Sequence, residues 1–465
     1  MKYRKIIKSV FVSLSVSILM LLCTACSSPT DSDDEGPVIV YVTEGGSGNR
    51  DGSSWGNAFA DVQSAIDKAN GEHKVFLGPA YVLIAKGTYT PQNNPGSSID
   101  TNPRNFCYVL KNNVIVIGGF EGNESGFAPT HGPSVTILSG GPVSGGVPNV
   151  NNVYHVVANQ YSASFNDNAK LQNLTISGGN ANGTVNPIKY GGGMYINYYS
   201  PEITNCIFVN NSAVNGGGIY VTGTGNAKIN NCIFIENTAT GSGGGIYNNS
   251  SSPEVRKSTF TGNTAVENGG GYYNHNSYNE ISQCTFNENE AENGGGIYND
   301  ISSTITNCTF SENIARVSGG GVYTTGASHN TLTLKASTFS GNTAVTSGGG
   351  LYINFPSKCE AFGNIIVGNT AVTYANYYLS FSTYSNNIVS GTVSSIFRDT
   401  EGEKALLKNY GGSTDVLMIK QESTLSFTMG TSWDYPERDQ RDYERSKQDN
   451  KFFIGAVDPR VNVAP

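Results

Sequence analysis

Seven glycine triplets punctuate this 465-residue chain, starting at Gly191, Gly216, Gly243, Gly269, Gly294, Gly319 and Gly348, at spacings of 25, 27, 26, 25, 25 and 29 residues. Between them runs a second signal, Phe-x-x-Asn-x-Ala. It reads Phe208/Asn211/Ala213, Phe234/Asn237/Ala239, Phe260/Asn263/Ala265, Phe286/Asn289/Ala291, Phe310/Asn313/Ala315 and Phe339/Asn342/Ala344, with Ile366/Asn369/Ala371 as a seventh copy. A unit of about 26 residues, rich in β-branched and aromatic side chains and without a helical period, cannot bury its apolar face alone and must stack on its neighbours. A hexapeptide helix needs a six-residue period, and a propeller blade needs about 40 residues. What remains is an all-β solenoid, the right-handed parallel β-helix, with rungs about 4.8 Å apart.

Parity fixes more of the rung. Cys206 and Phe208, Cys284 and Phe286, and Cys308 and Phe310 lie two apart and share the inward face of one strand. Ile203, Ile281 and Ile305 sit three before the Cys, so alternation breaks and a bend falls near Asn205, Asn231 or Asn307, where Asn tolerates a left-handed backbone. The repeat asparagines Asn211, Asn237, Asn263, Asn289, Asn313, Asn342 and Asn369 are expected to form a structural ladder, each amide bonding backbone groups of adjacent turns. Four cysteines share one repeat position that Ser258 and Ser337 take elsewhere, so small size matters more than sulfur there. In-register thiols run parallel rather than facing one another, which favours free buried cysteines.

Four residues after the first glycine of each triplet stands a tyrosine: Tyr195, Tyr220, Tyr247, Tyr273, Tyr298, Tyr323 and Tyr352. The preceding aliphatic should point inward and the Tyr outward, giving an aromatic strip roughly 30 Å long. Such a strip can serve the sheet by stacking. It can also be a platform for sugar rings or a partner protein. These seven tyrosines are the candidate ligand platform.

The flanks divide the chain into five parts. Residues 1–25 begin with a basic stretch (Lys2 to Lys8) followed by an apolar run from Val10 to Leu22, too short to span a bilayer and read as a signal peptide. It ends at Cys23-Thr24-Ala25-Cys26, which resembles the bacterial lipobox and puts Cys26 in the role of the lipidated first residue. Residues 26–37 are an acidic tether, similar to the surface-export signals of some bacterial lipoproteins; an outer-membrane, surface-exposed location follows as an expectation. Residues 38–170 form an N-terminal cap and irregular first rungs, 171–372 the repeat β-helix, and 373–465 C-terminal rungs and cap. Val62, Ala65, Ile66 and Ala69 fall at helical spacing ahead of Gly71 and mark a short helix that closes the open end of the solenoid.

Phe-x-x-Asn paired with Gly-Gly-Gly-Ile-Tyr resembles the repeat of chlamydial polymorphic outer-membrane proteins. The segment Tyr41-Val42, Asp51 to Trp55 and Ala85 to Pro91 is similar to the opening of many bacterial β-helix surface proteins. Asn409 to Thr414, Asp439-Gln440-Arg441 and Ile454-Gly455-Ala456 resemble the C-terminal region of the choice-of-anchor group.

Charge and site chemistry point the same way. The chain carries 28 Lys+Arg against 36 Asp+Glu, a net charge of −8. Such an acidic balance without a basic stripe argues against nucleic acid as a partner. β-Helices include polysaccharide lyases and polygalacturonases, whose chemistry needs clustered carboxylates or Ca²⁺ with a base. From Tyr190 to Val372 there is a single aspartate, Asp300, with six cations. Glu236, Glu288 and Glu312 each lie two after the repeat Phe and read as solvated turn residues. His275 and His329 occupy non-equivalent positions and suggest no metal site. The reading is a lipid-anchored surface β-helix that acts without catalysis in adhesion or in binding a glycan or a cell-surface protein, with no cofactor, no metal and no catalytic residue assigned. A carbohydrate-active enzyme, either a lyase or a glycosidase, is the alternative on the same fold.

Overall fold

A computed structural model describes residues 36–73, 78–92, 102–159, 168–327, 330–354 and 357–379, with short pieces at 382–385, 387, 400–401, 404–405, 426–428, 440 and 451–453. The chain is a right-handed parallel β-helix. Among the described residues most strands fall into four parallel sheets, of twelve, ten, seven and ten strands, each sheet taking one strand per turn, and three two-stranded antiparallel pairs stand apart from them. A single turn shows the path: Lys228–Asn230 in the first sheet, Ile233–Ile235 in the second, Thr238–Ala239 in the third and Ile246–Asn249 in the fourth. Every one of these strands pairs in register with the equivalent strand one turn on, as in Phe234 with Phe260 and Tyr247 with Tyr273.

The corners are set by single residues in the left-handed region. The first corner holds Asn205, Asn231 and Asn307 at φ near 54°, with Lys257, Gln283 and Ala336 taking the same conformation in other turns. The second holds Asn210, Glu236, Glu288 and Glu312 at φ between 51° and 56°. These three glutamates therefore mark a turn, and the two-residue parity of Cys and Phe is preserved between the two corners.

The glycine triplet has three separate reasons in one turn. Gly269 adopts φ +66°, open to glycine at no steric cost. A Cβ on Gly270 would lie 2.5 Å from the Glu290 carbonyl oxygen, and one on Gly271 would lie 2.8 Å from the Phe286 ring. The third glycine thus makes room for the aromatic column. Phe208, Phe234, Phe260, Phe286, Phe310 and Phe339 are fully buried. Successive rings lie 4.4–5.0 Å apart, within 11° of parallel.

The amino-terminal end is closed. Helix Val62–Glu72 starts at Asp61, whose side chain accepts from Ser64 N as an N-cap does, and buries Val62, Ala65, Ile66 and Ala69 in the same core as Val40 and Val42. Gly71 lies inside this helix rather than ending it. The first strand, Ile39–Val42, would expose an unpaired edge. Residues 52–59 cover it: Tyr41 N donates to Gly52 O, Phe59 N to Tyr41 O and Thr43 N to Phe59 O. Strand pairing in the first sheet therefore begins at Ile39, well ahead of the legible repeat. Near the other end, Gln440 is buried against the second sheet, donating to Cys284 O at 3.1 Å and Thr285 Oγ1 at 2.9 Å and accepting from Thr309 Oγ1 at 2.6 Å.

Candidate binding face

From Ile246 on, strands of the fourth sheet alternate buried and half-buried residues. Ile219, Ile246, Ile297 and Val322 are fully buried, as is Tyr272 where the aliphatic is replaced, with its hydroxyl accepting from Asn279 Nδ2. The next residue is the outward tyrosine. Tyr195, Tyr220, Tyr247, Tyr273, Tyr298, Tyr323 and Tyr352 stand in one column, and Tyr378 extends it by one ring. Ring centroids are 5.9 Å apart at the first step and 4.6–5.1 Å thereafter. Tyr190 adds a further ring, stacked on Tyr220 at 4.3 Å, and buried His155 lies 5.4 Å from Tyr195.

This geometry limits what the column can touch. Each interior ring spends both faces on its neighbours, so a sugar cannot lie flat on any ring between Tyr220 and Tyr352. Edges and phenol hydroxyls are what remain. The column is also graded: Tyr195 and Tyr220 are buried at 8% and 4% exposure, while Tyr247 to Tyr352 are half-buried. Burial raises the phenol pKa of Tyr220 and Tyr273 to about 12, and of Tyr247, Tyr298, Tyr323 and Tyr352 above the ordinary value, with neighbouring phenols or Asp300 adding to it. All stay neutral hydrogen-bonding hydroxyls at physiological pH.

Two residues beyond the tyrosines runs a polar column: Asn197, Thr222, Asn249 and His275 in paired register, with Asp300 next. Asn249 Nδ2 donates to Tyr220 Oη at 3.0 Å. His275 Nδ1 pairs with Asp300 Oδ2, and Asn276 N donates to Asp300 Oδ1 at 2.9 Å. Asp300 and His275 are thus brought together beside Tyr273, whose ring stacks near His275. Sequence reading treated the two as isolated. The available signal was their identical offset of two from Tyr298 and Tyr273.

The repeat asparagines are interior. Asn211, Asn237, Asn263, Asn289, Asn313 and Asn342 are fully buried, and Asn369 nearly so. Each Nδ2 from Asn237 to Asn313 donates to the carbonyl of the Phe one turn back and to the Oδ1 of the next Asn, at 2.8–3.0 Å. Asn211 does likewise with Ile176 O and Asn237 Oδ1, Asn342 with Phe310 O and Asn369 Oδ1, and Asn369 with Phe339 O and Asn376 Oδ1. This is a scaffold rather than a site.

Cys107, Cys206, Cys232, Cys284, Cys308 and Cys359 are free thiols. Burial pushes Cys107, Cys232 and Cys359 up to about 12, which makes them unreactive. Among the described residues no group of three or more His, Cys, Asp or Glu side chains converges as a metal site would require. Cys26 and His329 lie outside the described residues.

Comparison with known proteins follows this geometry. Residues 149–335 match the family model described as right handed beta helix region, and residues 336–354 match the Chlamydia polymorphic membrane protein repeat. No curated protein matches the chain. Among solved structures, pectate lyase Pel9A is similar with a TM-score of 0.52 at 14% identity, over 89% of this chain and 97% of that one. A thermostable GH87 α-1,3-glucanase from Streptomyces thermodiastaticus gives a TM-score of 0.34 at 12% identity, over 71% of this chain and 65% of that one. At these identities the likeness concerns the fold alone.

Proposed function

We propose that this chain is a lipid-anchored protein of the bacterial outer membrane, displayed outward and held through Cys26, that binds a glycan or a cell-surface protein without catalysis. The observation that carries the reading is the outer face of the fourth sheet. A straight column of half-buried tyrosines from Tyr247 to Tyr352 runs beside a polar column from Asn249 to Asp300. Rigid phenols are the side chains that interfaces favour, because they offer contact area and a hydrogen bond at small entropic loss. The regular spacing suits an extended partner lying along the solenoid axis. The match of residues 336–354 to a polymorphic membrane protein repeat supports surface display.

The test has two parts. Cys26→Ser should move the protein from the membrane fraction to the soluble fraction, and protease shaving of intact cells should remove the wild-type β-helix. On a glycan array and on cells, Tyr247→Ser/Tyr273→Ser/Tyr298→Ser should lose binding while keeping the circular dichroism of the parent. Unchanged binding by the triple variant refutes the face.

One observation favours the rival reading, a carbohydrate-active enzyme: the His275–Asp300 pair, the arrangement a general base and its orienting carboxylate would take. Release of new reducing or unsaturated ends from a polysaccharide, abolished by His275→Ala, would establish that reading instead.

A further inference from the structure

Away from the tyrosine face, a cavity of about 440 Å³ opens where the chain passes from Thr136–Ser139 of the second sheet to Val157–Asn159 of the fourth. Its volume is that of a small-molecule site. The walls are apolar carbon: Pro91 is buried, Phe106 half-buried, and Pro142 stands at the mouth. The rim is amide: Gln92, Asn149 and Asn151 are exposed. None of the described lining residues carries a charge.

The site is held by its own framework. Asn152 is the post, its Nδ2 donating to Pro142 O at 3.0 Å and Gly178 O at 2.6 Å. Gly141 adopts φ +134°, and a Cβ there would lie 2.4 Å from Asn152 Oδ1, so the wall closes on the post only because this residue is glycine. Arg104 is consumed in the buttress. Its Nε donates to Asn152 O, its Nη2 donates to Asn180 O and Asn182 Oδ1, and the guanidinium lies 4.0 Å from the Tyr154 ring centre. Asn149 Oδ1 accepts from Asn151 N at 2.9 Å, which orients the Asn149 amide at the rim.

We infer that this cavity is a binding site for a single neutral sugar residue. An uncharged lining gives no advantage to an anion or a cation. A side-chain amide offers a donor and an acceptor together, matching adjacent hydroxyls, while proline and phenylalanine carbon matches the C–H face of a pyranose. The site is independent of the tyrosine face and stands or falls separately.

The full chain is titrated by calorimetry and saturation-transfer NMR with the methyl glycosides of glucose, galactose, mannose and N-acetylglucosamine, and with glucuronic acid as the charged control. Saturable binding of at least one neutral glycoside is expected, with glucuronic acid weaker. Asn149→Ala/Asn151→Ala, at exposed positions, should weaken it about tenfold, two modest hydrogen bonds' worth, without lowering Tm. Tyr247→Ser/Tyr273→Ser/Tyr298→Ser should leave it unchanged. No saturable binding, equal binding by the double variant, or loss confined to the tyrosine variant would overturn the assignment.

Discussion

Asn289 offers the sharpest perturbation of the scaffold. Its side chain is fully buried and makes four bonds. Nδ2 donates to Phe260 O and Asn313 Oδ1, both at 2.9 Å, and Oδ1 accepts from Asn263 N at 3.0 Å and Asn263 Nδ2 at 2.9 Å. Asn289→Ala orphans the Asn263 N–H and one hydrogen of the Asn263 amide, and takes one donor from the Phe260 carbonyl. Asn313 Oδ1 keeps the Asn289 backbone N–H at 3.1 Å. Two orphaned buried donors at about 1–3 kcal/mol each put the loss at about 2–6 kcal/mol. Asn289→Asp keeps both acceptor contacts but turns a second oxygen toward two acceptors. Burial and those acceptors raise the folded-state pKa of the substituted carboxyl, while the unfolded value stays near ~3.9. Its stability is therefore highest below about pH 4 and falls as pH rises toward the folded pKa. The assay is denaturation at pH 4 and pH 7 followed by circular dichroism, with hydrogen exchange at Asn263 reporting the local turn, since a solenoid need not unfold as one unit. A cost for Asn289→Ala below about 1 kcal/mol with unaltered Asn263 exchange refutes the ladder, as does an Asn289→Asp variant equally stable at both pH values.

The remaining predictions concern the two aromatic columns and the thiols. Phe286→Ala removes a fully buried ring stacked 4.6 Å from Phe260 and 5.0 Å from Phe310; a loss of about 3–5 kcal/mol is expected in a thermal melt, and no loss would contradict the inward assignment. Tyr220 and Tyr273, pushed up to about 12, keep their protons in the folded state after the unfolded chain would lose them near ~10. Stability should accordingly drop as pH rises between about 10 and 12, and a phenolate titration in which the folded protein ionises all its tyrosines near 10 would contradict this. Alkylation of denatured, unreduced protein should label Cys107, Cys206, Cys232, Cys284, Cys308 and Cys359, read by mass spectrometry; a Cys206–Cys232 or Cys284–Cys308 crosslink is the contrary result.

How much of this was legible depended on whether one residue or two turns carried the information. The fold class followed from the glycine period, because no other arrangement buries a 26-residue unit of this kind. The Phe column and the corner at Asn205, Asn231 and Asn307 followed from a break in parity. The turns before Gly191 did not, since loops of varying length between Ile39 and Lys170 erase the period while leaving the strands in register. The stacked faces of the tyrosines were also beyond sequence: an outward position says nothing of ring orientation, and in-register rings at a 5 Å rise turn their faces to each other. Tyr378 joined the column without its glycine triplet. The His275–Asp300 pair is legible only as a shared offset of two from Tyr273 and Tyr298, because neither residue recurs at that position in another turn. The N-terminal cavity draws on Gln92, Phe106 and Asn149, which only tertiary structure brings together.

If the proposed function holds, the outer face of the fourth sheet meets the partner. Hydroxyl-radical footprinting of the protein, alone and saturated with the strongest ligand from the glycan array, tests it residue by residue. Protection of Tyr247, Tyr273, Tyr298 and Tyr323 on binding is the expected result. Tyr278, 58% exposed beside Thr304 on the first sheet, should be modified equally in both states. Protection of Tyr278 with the column unchanged would place the partner elsewhere and contradict the claim.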